Sequence, residues 1–220
     1  MNLHAATPGA PKAAILVFAR APEPGRVKTR LVPMLGRDGA AHLHAQLVER
    51  TLQTALAARL GGVDLYCSPG SDKPFFRRMK KRFGVRLRTQ GRGNLGDRMY
   101  RALRGNPQAI LIGSDCPALR PADLRAAARA LRAGADAVIS PAEDGGYALI
   151  GVRRASRELF TRIEWGSGRV LSQTRRRLRR LRWGWKELRT VWDVDRPGDV
   201  ARLRRSKLLG KPALRSRRTS

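Results

Sequence analysis

Residues 18–31, FARAPEPGRVKTRL, decide how this chain is read. They continue a short apolar run, AAILV at 13–17, that reads as a buried β-strand. The run then breaks into a loop holding Pro22, Pro24, Gly25 and the cations Arg26, Lys28 and Arg30. Open α/β sheets bind ligands in the crevice beyond the carboxyl ends of their strands. Gly25 allows close backbone approach, and the cations suit a polyphosphate. A solvated basic loop would carry the same residues. The loop is not a Walker A motif, because the first glycine of that pattern is absent.

A second strand sharpens the reading. Residues 109–117, AILIGSDCP, end an apolar run on Ser114 and Asp115. A carboxylate delivered to solvent by a buried strand, in a chain with a phosphate-friendly loop, suggests a divalent cation. Mg²⁺ usually takes one or two carboxylates and completes its shell with substrate phosphates and water. The alternative is that Asp115 caps the next helix, although Pro121 marks that helix start better. Cys116 follows directly, but no histidine is near it in sequence. His42 and His44 fall in a helical stretch, so a Cys–His nucleophile is not expected.

Two further stretches carry candidate chemistry. In 143–152, EDGGYALIGV, Glu143 and Asp144 precede Gly145 and Gly146, where the chain must turn or approach a ligand, and Tyr147 opens a strand. A plain hairpin would use the same residues. In 193–199, DVDRPGD, an extended backbone would place Asp193 and Asp195 on one face with Val194 opposite. Asp195 is the expected metal contact, or else the N-cap of the last helix. Trp165 could stack on a sugar or base, or pack.

The chain has 220 residues and a formal net charge of +29. That length suits one domain with an ample core. The charge admits nucleic acid, an anionic membrane or an acidic substrate. The arginines are spread over the whole chain, densest in RRRLRRLRW at 175–183 and RLRRSK at 202–207. Helical spacing of Leu171, Thr174, Leu178 and Leu181 leaves the first group on an outer face, either solvated or touching anions. Non-specific polyanion binding at low salt is expected. Sequence-selective nucleic-acid binding would call for aromatics among the cations, and these are few. No apolar run is long enough for a transmembrane segment. The first twelve residues lack the apolar stretch of a signal peptide. Cys67 and Cys116 make no ligand spacing, and a reducing, cytoplasmic setting is the simplest reading.

Along the chain, strands are expected at 13–19, 63–68, 85–89, 109–114, 136–141 and 146–152, with an extended piece at 188–194. Helices are expected at 38–60, 73–82, 95–104, 121–133, 168–182 and 197–206. The alternation implies a three-layer α/β domain, a mostly parallel sheet with helices on both faces. The domain spans 13–206, between tails at 1–12 and 207–220 expected to be disordered. Gly91, Gly93 and Gly96 match G-x-G-x-x-G literally, but VRLRTQ before them alternates arginine with apolar residues, unlike a buried central strand. The helix opening at Asn94 instead offers its N–H groups and Arg98 to a base or phosphate, or is a plain helix start.

Together, FARAPEPGRVKTRL, GSDCP, PAEDGGYALIGV and DVDRPGD, in this order, resemble the bacterial glycosyltransferase-A-like proteins associated with arsenosugar biosynthesis. Wider relatives are molybdenum cofactor guanylyltransferase and 2-phospho-L-lactate guanylyltransferase. The resemblance runs from about Ala13 to Leu203. Ala148 stands where a second aromatic is usual, and Arg196 and Gly198 replace the usual threonine and glutamate. It implies a nucleotide-diphospho-sugar transferase fold and a transferase using a nucleotide or nucleotide sugar, a small-molecule acceptor and Mg²⁺ or Mn²⁺. Ala19, Arg20, Gly25, Arg26, Lys28 and Arg30 would hold donor phosphates, joined by Arg98. Asp115 and Asp195 would hold the metal. Asp144, Gly145, Gly146 and Tyr147 would face donor or acceptor, and Asp115, Lys28 and Asp144 would serve catalysis. Glycosyl transfer is the first expectation and nucleotidyl transfer the alternative, because both use the same donor apparatus. A basic nucleic-acid-binding protein on a degenerate transferase fold is the remote third.

Overall fold

The structure is a computed structural model, and it describes residues 13–209. The expected tail at 1–12, and residues 210–220 of the expected tail at 207–220, lie outside the described residues. In chain order the elements are β1 (Ile15–Arg20), α1 (Val32–Ala57), β2 (Val63–Ser68), α2 (Pro74–Phe83), β3 (Arg86–Thr89), α3 (Leu95–Arg104) and β4 (Ala109–Gly113). There follow α4 (Pro121–Arg132), β5 (Ala137–Pro141), β6 (Tyr147–Val152), α5 (Val170–Arg180), β7 (Trp185–Glu187) and α6 (Pro197–Ser206). The strands form one seven-stranded sheet in the order β3-β2-β1-β4-β6-β5-β7. β6 runs antiparallel to both its neighbours, and every other pairing is parallel.

Strand alternation divides the core between two faces. Ile15, Val17, Ile110 and Ile112 point to one side, where Val48 and Leu52 of α1, Phe76 of α2 and Leu124 of α4 cover them. Leu16, Phe18 and Leu111 point to the other, under Met99 and Leu103 of α3 and Leu178 of α5. Ile15, Leu16 and Val17 are fully buried. Each such side chain contributes roughly 1.5–3 kcal/mol from burial, so this strand anchors the sheet. A third cluster ties Leu31, Leu43 and Leu47 to Val194, Val200 and Leu203. Leu208 and Leu209 pack against it.

β3 is an edge strand, which explains its alternating arginines. Arg86 Nε donates to Asp64 Oδ1 at 2.6 Å, and Arg88 Nε reaches Oδ2 at 3.4 Å. The glycine pattern at 91–96 therefore follows an edge strand, not the central strand that a dinucleotide fingerprint follows. Asn94 caps α3 by accepting the Asp97 N–H, and Asp97 accepts the Asn94 N–H in return.

One expectation is corrected. α1 starts at Val32, earlier than 38, and is interrupted at Gly36, whose φ of 71° only glycine adopts freely. The edge strand β7 is 185–187, and the piece at 188–194 follows it beside β5, with one parallel bridge between Ala142 and Val191. Leu188 N–H donates to Ile139, Val191 N–H to Pro141 and Val194 N–H to Asp115 beyond the end of β4. Val191 and Val194 are buried, and Asp193 is half-buried. Among the described residues, no helix is long and apolar enough to cross a membrane.

Candidate active site

From β1 the sheet continues on one side to β2 and β3 and on the other to β4, so the chain order reverses between β1 and β4. The carboxyl ends of these two strands are the topological switch point, the expected place for a ligand. The loop after β1 and the loop after β4 meet there. Lys28 Nζ lies 2.5 Å from Asp115 Oδ1 and donates to the Val194 carbonyl at 2.6 Å. Its side chain is only 5% exposed, whereas that of Asp115 is 49% exposed, so the pair opens on the carboxylate side.

Lys28 takes φ 48°, ψ 40°, the left-handed region, before a short 3-10 turn at Thr29–Leu31. A non-glycine residue there costs on the order of 1 kcal/mol and is held by surrounding contacts. Here the holding contacts are the ammonium's two partners. The head of Lys28, expected at phosphate, meets Asp115 and the Val194 carbonyl. It positions Asp115 and ties three loops together.

Beneath this pair lies a residue that its sequence context does not single out. His44 is 4% exposed, its Nε2 is 3.1 Å from the Arg20 carbonyl, and its Nδ1 is 3.8 Å from Asp115 Oδ1. A carbonyl only accepts, so Nε2 carries the proton. Burial holds the imidazole below its usual pKa, against the pull of Asp115. Nδ1 has no hydrogen-bond partner, and Asp115 Oδ1 has none of acceptable angle. Desolvation pushes the Asp115 carboxyl up, but Lys28, His44 and Arg20 outweigh it and keep it below the ordinary carboxylate range. Asp115 is therefore charged at neutral pH.

Asp193 behaves in the opposite way. Burial, then Asp144, then Asp115 push its carboxyl up to about 6. It is the member of the 193/195 pair that is coupled to Asp115 and Asp144. Asp195 instead forms an ion pair with Arg30. Nor does Asp195 cap α6: Asp199 accepts the backbone N–H groups of Asp195 at 3.0 Å and Arg196 at 2.7 Å. Asp195, the expected metal contact, is thus engaged by Arg30, while Asp193 shares the field of Asp144 and Asp115. Alternation could not separate the two, since both line the same cleft.

The cleft has a volume of about 400 Å³. Asp144, Gly146, Tyr147 and Ala148 form one side, and Trp165, Gly166 and Ser167 another. Asp144 Oδ1 accepts the Gly146 N–H at 2.8 Å, which fixes the turn. Gly145 has φ +85°, and a Cβ there would fall 2.2 Å from the Gly168 carbonyl oxygen. The two loops can close on each other only with glycine at 145. Trp165 stands edge-on to Tyr147 with ring centroids 6.5 Å apart, so it packs and lines the cleft at once. Burial pushes the Tyr147 phenol up, keeping it neutral.

Other expected residues are not brought together. Arg26 is a surface group whose side chain is 77% exposed, paired with Glu23 at 3.5 Å. Arg98 Nε donates to the Gly93 carbonyl at 2.9 Å, holding its own loop, while Leu95 and Met99 of the same helix line the cleft. Ala19 is buried, and its carbonyl accepts from Gln90 Nε2 at 3.2 Å. Arg20 is exposed at the end of β1. Gly25 takes φ +76° at the loop tip. Cys116 is buried and its thiol is pushed well above the ordinary range, by desolvation first and then by Asp115, Asp193 and Asp144, so it is no nucleophile. Among the described residues no three His, Cys, Asp or Glu side chains are grouped to hold a metal by themselves.

Comparison with known proteins agrees with this architecture. No curated protein sequence matches the chain. A protein of Desulfovibrio desulfuricans G20, named as a candidate nucleotide-diphospho-sugar transferase, has a similar solved structure. It is 34% identical, with a TM-score of 0.80, over 89% of this chain and 87% of that one. A nucleotidyl transferase of Methanothermobacter thermautotrophicus is 18% identical, with a TM-score of 0.59, over 90% of this chain and 99% of that one. Glucosyl-3-phosphoglycerate synthase of Mycobacterium tuberculosis, solved with Mn²⁺, UDP and glucosyl-3-phosphoglycerate, is 14% identical. Its TM-score is 0.52, over 90% of this chain and 77% of that one. The fold is therefore that of the nucleotide-diphospho-sugar transferases. A family model matches residues 51–167, just over half of the chain, and the chain belongs to that family, described as uncharacterized protein conserved in bacteria (DUF2064).

Proposed function

We propose that this protein is a divalent-cation-dependent transferase that uses a nucleotide-activated donor, and that it transfers a glycosyl group. The observation that carries the reading is the meeting of Lys28 and Asp115 at the β1/β4 switch point, with Asp193 facing the same cleft. Asp115 and Asp193 would hold Mg²⁺ or Mn²⁺. The fit rests on Asp115 Oδ1 lacking a well-directed hydrogen bond and on Asp193 lining the same cleft, its carboxyl raised by burial first and then by Asp144 and Asp115. Two such groups favour a cation between them. Bound there, the cation offsets negative charge on the leaving phosphates.

The chain's own residues do the rest. Lys28 keeps Asp115 charged and aimed at the cleft. Gly25 and the N–H groups of its loop, with Arg20 and Arg30, orient the donor phosphates. Asp144 stands at the cleft mouth, where it contacts the acceptor or takes its proton. Kinship with the arsenosugar-associated glycosyltransferases, and more remotely with molybdenum cofactor guanylyltransferase, belongs to this proposal, as do a single-domain organisation and a cytoplasmic setting. The similar protein from Desulfovibrio, named for nucleotide-diphospho-sugar transfer, supports a nucleotide-activated donor, and the resemblance to the arsenosugar-associated family favours glycosyl over nucleotidyl transfer. Calorimetric titration with UDP-, GDP- and CDP-sugars and with NTPs, each with and without Mg²⁺ or Mn²⁺, tests the reading. Cation-dependent binding of a nucleotide sugar is expected. Equal binding of every nucleotide in excess chelator, or no binding at all, removes it.

A further inference from the structure

The cleft beside the switch point has two unlike halves. Phe18, Leu111 and Met99 form a buried floor, with Leu95, Tyr147 and Trp165 above it. The charged lining is Asp115, Asp144, Asp193, Asp195 and Arg30. Arg30 is already ion-paired with Asp195. The chain carries 46 lysines and arginines, yet among the described residues Arg30 is the single cation lining this cleft. The loop of 21–28, which would orient the donor, contributes nothing to it; the cleft lies toward β4 and β6. Asp115, Asp193 and Arg30 serve the donor within it, and the part lined by Asp144, Tyr147 and Trp165 is left for the acceptor.

We propose that the acceptor is an uncharged molecule with an apolar portion, such as an aromatic or branched alcohol, and that phosphorylated and carboxylate acceptors are excluded. The proposal rests on the transferase reading for the word acceptor, and on the cleft alone for the chemistry. The apolar half buries a ring or branched chain of drug-like dimensions, since clefts of this size are typically lined in this way. The acidic half cannot serve an anion. A divalent cation held by Asp115 and Asp193 would be neutralised by the donor's own phosphates, and Asp144 would stay unopposed. A second phosphate or carboxylate would meet like charge with no free guanidinium or ammonium to bind it. Like-charge juxtaposition of this kind is a common device for rejecting wrong partners. A hydroxyl, by contrast, donates to Asp144 while the rest of the molecule lies against Trp165. In the transfer step the hydroxyl oxygen forms the bond to the sugar carbon, the bond from that carbon to the donor phosphate breaks, the nucleoside diphosphate leaves, and the hydroxyl proton passes to Asp144.

The test uses 4-nitrobenzyl alcohol and 4-nitrobenzyl phosphate as a matched pair. Each is titrated by ligand-observed NMR against the full chain with Mg²⁺, alone and with UDP or GDP. The alcohol is expected to bind at least tenfold more tightly than the phosphate. Trp165→Ala should weaken the alcohol at least fivefold, and Asp144→Asn with Asp193→Asn should narrow the preference by admitting the phosphate. Equal affinities, preference for the phosphate, or failure of the folded protein to bind either probe would each overturn the inference. Nucleotide binding is scored separately in the same samples. Nucleotide bound without preference for the alcohol leaves the transferase reading standing and removes this one. The preference without nucleotide binding supports the cleft's chemistry and removes the transferase reading.

Discussion

Lys28 Nζ and Asp115 Oδ1 stand 2.5 Å apart although one belongs to the loop after β1 and the other to the loop after β4. The contact joins the two loops at the one place in the sheet where strand order reverses, and it makes the charge state of Asp115 depend on a buried ammonium.

Replacing Lys28 by alanine should therefore act on stability as well as on binding. The ammonium is nearly buried and has two partners, so its loss leaves the Val194 carbonyl and Asp115 without it. A loss of about 2–3 kcal/mol is expected, in the range for a charged hydrogen-bonding group. Arg26→Ala, at an exposed site, should change stability by less than about 0.5 kcal/mol. Urea unfolding of the two variants side by side checks this. Equal midpoints would mean that Lys28 is an ordinary surface cation.

Asp115→Asn should abolish the dependence of nucleotide binding on Mg²⁺ or Mn²⁺ while leaving the fold intact, since half of the side chain faces solvent. Calorimetry with and without chelator reads the outcome. A variant that still needs the cation would move the metal site elsewhere.

Asp193 gives a pH signature. Its folded pKa of about 6 lies above the ordinary carboxylate value, so the folded state holds a proton that the unfolded state releases. Its contribution is present below pH ~4 and is lost as the pH rises toward 6. Asp193→Asn should then stabilise the protein by on the order of 1 kcal/mol at pH 7, allowing for partial exposure, and hardly at all at pH 4. Mn²⁺ should raise the melting temperature of the wild type at pH 7 more than that of the variant. Thermal melts across pH 4–8 decide it; stabilisation that is constant with pH would contradict the assignment.

Two glycines separate backbone strain from close approach. Gly134 has φ +102° with nothing within 4 Å of where an alanine methyl would stand, so Gly134→Ala meets strain alone, about 1 kcal/mol. Gly145 has φ +85° and also the Gly168 carbonyl at 2.2 Å from such a methyl. Gly145→Ala should cost at least twice as much and should alter ligand binding by displacing Asp144 and Trp165. Comparable losses in the two variants, measured by denaturant titration, would mean that the 142–147 and 165–170 loops are not held together.

Much of this protein follows from local chemistry. Pro74, Pro121 and Pro197 each open a helix within a residue of where the sequence places it, because a fixed φ and a missing N–H suit a first helical turn. Gly25, the apolar runs of β1 and β4, and the position of Asp115 at a strand end were all legible, since each depends on neighbours in the chain. The long-range relationships were not. Asp193 and Asp195 look equivalent in sequence, and only the course of 188–194 beside β5 to Asp115 couples Asp193 to Asp115 and Asp144 while Arg30 takes Asp195. His44 reads as one more helical residue until α1 packs against β1 and aims it at Asp115. The direction of Lys28 likewise depends on where Val194 stands. Burial and the field of distant charges decide such matters, and neither is a property of any local stretch of chain.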